Sequence, residues 1–491
     1  MALAETVAET PAVALAQPTA VESAAPRRRW LGLAVLLAGS FMTVLDAMIV
    51  QVALPSIAKD LGAGSATIEL VIAGYGMAYG VLLVTGGRLG DLYGRKRVFL
   101  IGMGLFTLAS ILCGLAPNAP LLVLARVLQG ATAALIPPQV YAAIRTGFAG
   151  DDRRRAFGLM GLVLGVAAAL GELIGGVLIT GDVLGLGWRL VFLVNLPIGV
   201  MAIAIGGRLL QESKSPAGTR LDPSGIALLT LALAVVLGAM VSVNHLGWRA
   251  SAAMGLVAVP LLVLFARYET KFEERGLMPL FSLRLLRIPA FRTGALLVLA
   301  FFSTANAFYL ALGVLLQFGG GMSPLAAGLV FTPMAAAYSA TSFAVPVLVR
   351  RYGNATLRWS ALLYGFAFVL LWLQTGPNAG FDIWLLMPAL LLVGIGQGLL
   401  MTPLLNSVLS VLPEVYAGMA GGAVSTLQQV GNAFGVACLG LALFAHPGGA
   451  GVATLAGADA VAAFRNAMVL EIIGAALTWH LLHRFQRFAQ V

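Results

Sequence analysis

Long apolar runs, separated by short charged or turn-forming loops, dominate this chain. Each run is about twenty residues long, enough to cross the hydrocarbon core of a bilayer as an α-helix. Fourteen such spans lie near 30–54, 67–87, 98–116, 120–144, 156–180, 188–210, 223–243, 250–267, 293–317, 324–348, 358–376, 381–407, 417–444 and 462–482. The short alternating strands of a transmembrane barrel do not occur. The pattern predicts an all-α polytopic membrane protein.

Composition strengthens this prediction. Of 491 residues, 60% are hydrophobic and only 10% are charged, whereas a soluble protein carries about 25% charged residues. The two cysteines, Cys113 and Cys438, lie inside apolar runs and predict neither a disulfide framework nor a metal site. The net charge of +10 raises the question of a nucleic-acid partner, which the distribution of the basic residues answers.

The basic residues fall mainly on one side of the predicted membrane. With the amino terminus placed inside, Lys59, Arg189, Arg249 and Arg465 fall outside, Arg126 falls within a span, and all other Lys and Arg residues fall inside. This asymmetry predicts that both termini are cytoplasmic. The basicity therefore reflects topology, and we expect anionic lipid on the cytoplasmic side, rather than nucleic acid, as its partner.

Two segments lie outside the apolar runs. Residues 1–29 are rich in Ala and Pro over the first 26 positions, lack the pattern of a cleaved signal peptide, and predict a disordered cytoplasmic tail. Residues 278–292 mix apolar positions with Arg284, Arg287 and Arg292. They predict a basic amphipathic segment at the inner membrane interface, with an ordinary basic loop as the alternative.

The loop after the second span carries a specific motif, "GGRLGDLYGRKR". It resembles the G-x-L-x-D-x-x-G-R-[KR] signature of the major facilitator superfamily through Gly87, Leu89, Asp91, Gly94, Arg95 and Lys96. The resemblance implies that Asp91, with Gly87, Gly94 and Arg95, is a conformational latch that holds two halves closed on the inside. The corresponding loop of the second half, "VRRYGNATLRW", has no acid.

Other stretches resemble the fourteen-span drug:proton antiporter branch of that family. "FMTVLDAMIVQVALP" contains Asp46, and "LLVLARVLQGATAA" contains Arg126 and Gln129. The resemblance implies a major facilitator fold with six-helix bundles at 30–211 and 293–486 and two additional helices at 222–268. It also implies a cavity at mid-membrane between bundles built of inverted repeats.

The fifth span departs from the branch. Its signature normally reads G-P-x-x-G-G, and here Glu172 replaces the proline between Gly171 and the pair Gly175 and Gly176. The glycines predict close helix packing. At 1.5 Å per residue, Glu172 and Asp46 lie about 24 Å above the inner ends of their spans. Arg126 lies at about 21 Å, so the three ionisable groups share one layer.

These three groups suggest a proton switch. Arg126 stays charged and can hold one carboxylate ionised, while desolvation favours the protonated form of the other. We hypothesise that Asp46 carries the exchangeable proton, Glu172 carries a proton or contacts cationic substrates, and Arg126 tunes both. Two alternatives remain open. Arg126 and Asp46 can be a permanent structural pair, and Glu172 can be a protonated, hydrogen-bonded packing residue.

Polar and aromatic residues inside the spans are candidates for a substrate cavity. They are Tyr75, Tyr79, Gln139, Asn306, Tyr309, Gln397, Gln428 and Asn432, and each can equally be an interhelix hydrogen-bonding group. No enzyme motif occurs. The resemblance implies a plasma-membrane transporter, in a bacterium one of the inner membrane, that performs proton-coupled multidrug efflux of amphipathic, cationic or neutral small molecules and needs no cofactor beyond a proton gradient. A proton symporter or a dedicated metabolite exporter is the alternative, and the sequence does not identify protein partners.

Overall fold

A computed structural model describes residues 26–63, 65–182, 185–214, 222–241, 243–277, 279–353, 355–376, 382–412, 417–444 and 457–489. Every regular element within these ranges is helical. The long helices are α1 (Pro26–Leu61), α2 (Ser65–Tyr93), α3 (Arg95–Gly114), α4 (Ala119–Ala133), α5 (Pro137–Gly147), α6 (Gly150–Gly181), α7 (Asn195–Leu209), α8 (Pro223–Val241), α9 (Val243–Glu274), α10 (Pro289–Val314), α11 (Pro324–Tyr352), α12 (Ala355–Gln374), α13 (Ile383–Ser410), α14 (Ala417–Phe444) and α15 (Ala458–Ala489).

The predicted spans correspond to these helices. In the described residues, 13 helical stretches are long and apolar enough to cross a membrane. The remaining predicted span coincides with α14, a helix of 28 residues. The prediction of an all-α polytopic membrane fold is confirmed.

Two spans that the apolar pattern predicts as continuous are interrupted. The span predicted at 120–144 divides into α4 and α5, because Pro137 and Pro138 lack the backbone N–H groups that would continue the helix. The span predicted at 188–210 begins with a 3₁₀ turn, Gly187–Arg189, and a short helical stretch, Leu190–Leu193, before α7 starts at Asn195. Apolar content does not register such interruptions, because both sides of each break remain hydrophobic.

The two bundles meet along two seams. Along the first, α6 packs against α11, and along the second, α2 packs against α14. Small residues permit the close approach at the first seam. A side chain built on Gly165 would overlap the Tyr338 ring, and one on Gly158 would touch Pro346.

The two additional helices, α8 and α9, pack beside the second seam. Leu229, Leu233 and Leu237 of α8 form a buried cluster with Val81 and Val84 of α2. Partly buried residues of α14 pack against the same cluster, so the pair of α8 and α9 contacts both bundles. Gly247, with φ of 76°, interrupts the first turns of α9, since only glycine adopts this conformation readily.

Of the basic segment predicted at 278–292, the structure describes residues 279–292. It contains a 3₁₀ helix, Leu283–Arg287, and α10 already begins at Pro289, four residues before the predicted bundle boundary. Leu285 is buried while Arg284 is mostly exposed, so an apolar and a basic side coexist. Its interfacial role stays a prediction. Of the predicted tail, residues 1–25 lie outside the described part of the chain, and the rest belong to α1.

Candidate functional site

A buried ion pair joins α1 to α4. The side chain of Asp46 is fully buried, and Arg126 is 1% exposed. Arg126 donates from Nη1 to Asp46 Oδ2 at 2.6 Å. Depth along the predicted spans places these residues in one layer, and the structure brings their side chains into contact.

Two amides complete the surroundings of Asp46. Its Oδ1 accepts hydrogen bonds from Gln129 Nε2 and from Asn195 Nδ2, both at 2.8 Å. Ser110 lies between these amides and accepts from Gln129 at 2.8 Å. One charged and two neutral donors therefore converge on a single carboxylate.

Arg126 also has several acceptors. Its Nε donates to the carbonyl oxygen of Val71 at 3.1 Å, and its Nη1 donates to Gln129 Oε1 at 2.6 Å. The guanidinium lies 4.2 Å from the ring centroid of Tyr75, close enough for a cation–π contact. Tyr75 in turn stacks on Tyr79 at 5.9 Å. Of the two candidate cavity tyrosines of α2, Tyr75 therefore lies directly beside the ion pair, and Tyr79 lies next to Tyr75.

Asn195 and Ser110 are members of this network that the sequence reasoning missed. Asn195 is the first residue of α7, directly after the interruption at Val194, and this position lets its amide reach Asp46. Its Oδ1 is buried and accepts no hydrogen bond within the described residues. An Asn followed by a proline two residues later, inside the apolar stretch "FLVNLPIG", was the available signal.

The glycines around Glu172 lie against neighbouring helices, whereas the side chain of Glu172 lies outside the described part of the structure. A side chain built on Gly171 would collide with Met48 of α1, and one on Gly175 would meet Ile49. Gly176 instead lies against Leu325 of α11. The fifth span is a continuous 32-residue helix, α6. The role of Glu172 therefore stays a hypothesis.

The loop signature forms a compact network at the ends of four helices. Asp91 pairs with Arg95 at 3.0 Å, and Arg95 also donates to Thr146 Oγ1 at 3.2 Å. Gly94 has φ of 104°, a conformation that favours glycine. Glu212, which sequence reasoning did not single out, accepts from the backbone N–H groups of Lys96 and Arg97 at 3.1 and 3.2 Å.

The position of this network bears on the latch that the loop signature predicts. The ion pair of Asp91 joins residues of the amino-terminal bundle, so it does not itself connect the two halves; Gly87 is likewise buried within α2. A bond between the halves comes from Arg145 of α5, which donates to the carbonyl oxygen of Leu412 at 2.9 Å. Whether Asp91 acts as a latch stays a prediction.

The remaining cavity candidates divide into two groups. Gln139 donates to the backbone oxygen of Gly86 at 2.8 Å, so it ties α5 to α2. In the carboxy-terminal bundle, Tyr309 donates to Gln397 Oε1 at 3.0 Å. Asn432 donates to Gln429 at 2.9 Å, while Asn306 and Gln428 are half-buried. Interhelix and intrahelix hydrogen bonds thus account for several of these amides.

A third charged contact lies at the end predicted to face outside. Asp60, beyond the apolar part of α1, accepts from the Trp188 indole at 2.9 Å and from Arg189 at 2.7 Å. Both hydrogen bonds hold the pKa of the Asp60 carboxyl below its ordinary value, and the bond from the Trp188 indole has the larger effect. The contact joins the end of α1 to the segment that leads into α7.

Comparisons with known proteins agree with this architecture. The family model described as Major Facilitator Superfamily matches residues 36–226 and 224–436. The chain is 37% identical over 420 residues to a probable actinorhodin transporter of Streptomyces coelicolor, covering 85% of this chain and 73% of that protein. It is 35% identical over 430 residues to a puromycin resistance protein of Streptomyces alboniger, covering 85% and 83%. The solved structure of the proton:xylose symporter XylE superposes with a TM-score of 0.65 at 12% identity, covering 92% and 96%.

Proposed function

Because this chain belongs to the major facilitator superfamily, we propose that it exports amphipathic, cationic or neutral small molecules in exchange for protons. It is an integral membrane transporter and not an enzyme. The names of its relatives, an actinorhodin transporter and a puromycin resistance protein among them, support export of antibiotic-like compounds. The positive-inside asymmetry supports a plasma-membrane location with both termini in the cytoplasm.

The observation that carries the proton-coupled part of the proposal is the buried pair of Asp46 and Arg126. Asp46 receives three hydrogen bonds, from Arg126, Gln129 and Asn195. Protonation removes the negative charge, so Arg126 loses its counter-ion and the hydrogen bonds that join the helices at Asp46 become weaker. Breaking such a pair costs about 3–5 kcal/mol. A shift from 1:99 to 99:1 between two conformations needs about 5.5 kcal/mol, so one proton supplies a large part of a conformational switch.

In this mechanism the two bundles rock about the cavity between them. The proton enters from outside and reaches Asp46, substrate leaves outward, and release of the proton inside restores the ion pair. Tyr75 and Tyr79, stacked beside Arg126, are proposed as the aromatic wall that substrate contacts. The same fold could run as a proton symporter or a dedicated metabolite exporter, which the direction and range of transport distinguish.

Ethidium efflux from cells expressing the protein tests the proposal. We expect the wild type to extrude preloaded ethidium, an uncoupler to abolish extrusion, and Asp46→Asn to behave like cells without the protein. Asp60→Asn is the matched control, since it changes an exposed Asp of the same helix, and it should retain efflux. Absence of uncoupler-sensitive efflux from the wild type, or full efflux by a well-expressed Asp46→Asn variant, contradicts the proposal.

A further inference from the structure

A second buried acidic pair lies away from Asp46, where α8 begins and α9 ends. Asp222, 4% exposed, directly precedes α8. Its Oδ1 accepts from the backbone N–H of Gly225 at 2.9 Å and from the Tyr268 hydroxyl at 2.8 Å. The first bond is that of a helix N-cap, as expected for an Asp followed by Pro223.

Glu269 of α9 is the other member of the pair. It is 1% exposed. Its Oε2 accepts from the backbone N–H of Leu280 at 2.8 Å and from that of Phe281 at 3.4 Å. Glu269 therefore joins the segment that follows α9 to the helix itself, and its Oε2 already accepts two hydrogen bonds.

The other oxygen of each acid is the informative one. Asp222 Oδ2 and Glu269 Oε1 are buried and accept no hydrogen bond from a protein donor within the described residues. A side chain built on Gly225 would collide with both of these atoms, so they converge on one place. A proton shared between two such acceptors satisfies both of them in a buried site.

The charged neighbours of the pair point the same way. Arg88 of α2, 2% exposed, interacts electrostatically with Asp222, Glu269 and Asp91, and Asp91 pairs with Arg95. With every group ionised, three acids face two arginines. One bound proton makes the cluster neutral, which a buried site of low dielectric favours. Tyr268, a further titratable neighbour, donates a hydrogen bond from its hydroxyl group to Asp222.

We propose that Asp222 and Glu269 form a second proton-binding site, in which the two carboxyl groups share one proton. Loss of that proton leaves an uncompensated negative charge beside Arg88. This charge then attracts Arg88 away from Asp91 and towards the α8–α9 pair. The contacts that Asp91 makes in the loop signature become weaker as a result. The site lies at the end predicted to face the cytoplasm, so proton occupancy there links cytoplasmic pH to the end of α2. It uses none of the residues around Asp46.

Infrared spectroscopy of the purified protein without substrate tests this site. We expect Glu269→Gln and Asp222→Asn each to remove the same protonated-carboxyl absorption at neutral pH, with no further loss in the double variant, because the two acids hold one proton. Glu274→Gln, an exposed acid on the same helix, should leave the spectrum unchanged. An absorption unaltered in both single variants would overturn the proposal.

The pH dependence of stability gives a second readout. The folded protein holds a proton that the unfolded chain releases at neutral pH, so the unfolding midpoint of the wild type should fall as pH rises. Glu269→Gln, whose amide can donate to Asp222 at every pH, should lose this dependence. Equal pH profiles for the two proteins would contradict a shared proton. Neither measurement uses substrate, so its outcome is separate from that of the ethidium experiment.

Discussion

The coupling between Asp46 and Arg126 can be measured by a double-mutant cycle. Asp46→Asn leaves Arg126 as a buried cation whose remaining acceptors are the neutral oxygens of Val71 and Gln129. Arg126→Gln leaves Asp46 as a buried anion with two amide donors, Gln129 and Asn195. Each single variant therefore contains one uncompensated buried charge. The double variant contains none.

The expected magnitudes follow from this difference. Removing one partner of a buried pair costs about 3–5 kcal/mol of unfolding free energy. In the neutral double variant, the Asn and Gln side chains at positions 46 and 126 can still hydrogen-bond to each other. Its loss of unfolding free energy should therefore be smaller than the sum of the two single losses by about 2–3 kcal/mol. This deficit is the coupling energy of the pair.

Reversible unfolding in mixed detergent micelles, followed by tryptophan fluorescence, provides the assay. A second cycle on Arg29 and Asp152, an ion pair of 2.8 Å whose side chains are each 38% exposed, provides the matched control. An exposed pair of this kind should couple by less than about 1 kcal/mol. A coupling energy at Asp46 and Arg126 no larger than that of the control would refute the reasoning from burial.

Other contacts lead to smaller effects at the seam, the inner end and the outer end. Gly165→Ala should slow ethidium efflux because its side chain would overlap the Tyr338 ring, whereas Gly313→Ala, with open space around it, should not. Arg145→Gln should widen the inner end in spin-label distance measurements between α5 and α13, since it removes a charged bond of about 1.5–3 kcal/mol. The unfolding midpoints of the wild type and of Asp60→Asn should differ near pH 7 and converge below about pH 4. The lowered pKa of the Asp60 carboxyl stabilises the folded protein only while this group is ionised, so acid removes the stabilisation. A difference in midpoint that persists at acid pH would contradict this.

Much of the fold follows from sequence because membrane spans obey a simple rule of length and hydropathy. The same rule does not register helix interruptions, and these place functional groups. The break before Asn195 puts an amide against Asp46, although "FLVNLPIG" looks like part of one apolar run. Depth along each helix places Asp46 and Arg126 in one layer, but it contains no information about rotation around the helix axis, so their contact appears only in the structure.

Contacts between distant loops are the part that sequence reasoning misses. Asp222 and Glu269 are separated by a helical hairpin, and only the packing of α8 on α9 makes them neighbours. Arg145 likewise donates to the backbone carbonyl oxygen of Leu412. No sequence motif indicates a hydrogen bond to a backbone group. The loop signature identifies Asp91 from sequence alone. The structure adds that Asp91 pairs with Arg95, four residues away, so this ion pair lies within one bundle.

The most direct test of the central claim measures protons released when substrate binds. Purified protein in lightly buffered detergent solution, with a pH-sensitive dye, receives ethidium. We predict proton release from the wild type and from Asp60→Asn, and none from Asp46→Asn. Release that persists in a folded Asp46→Asn variant, or its absence from the wild type, would contradict exchange of a proton at Asp46 for a cationic substrate.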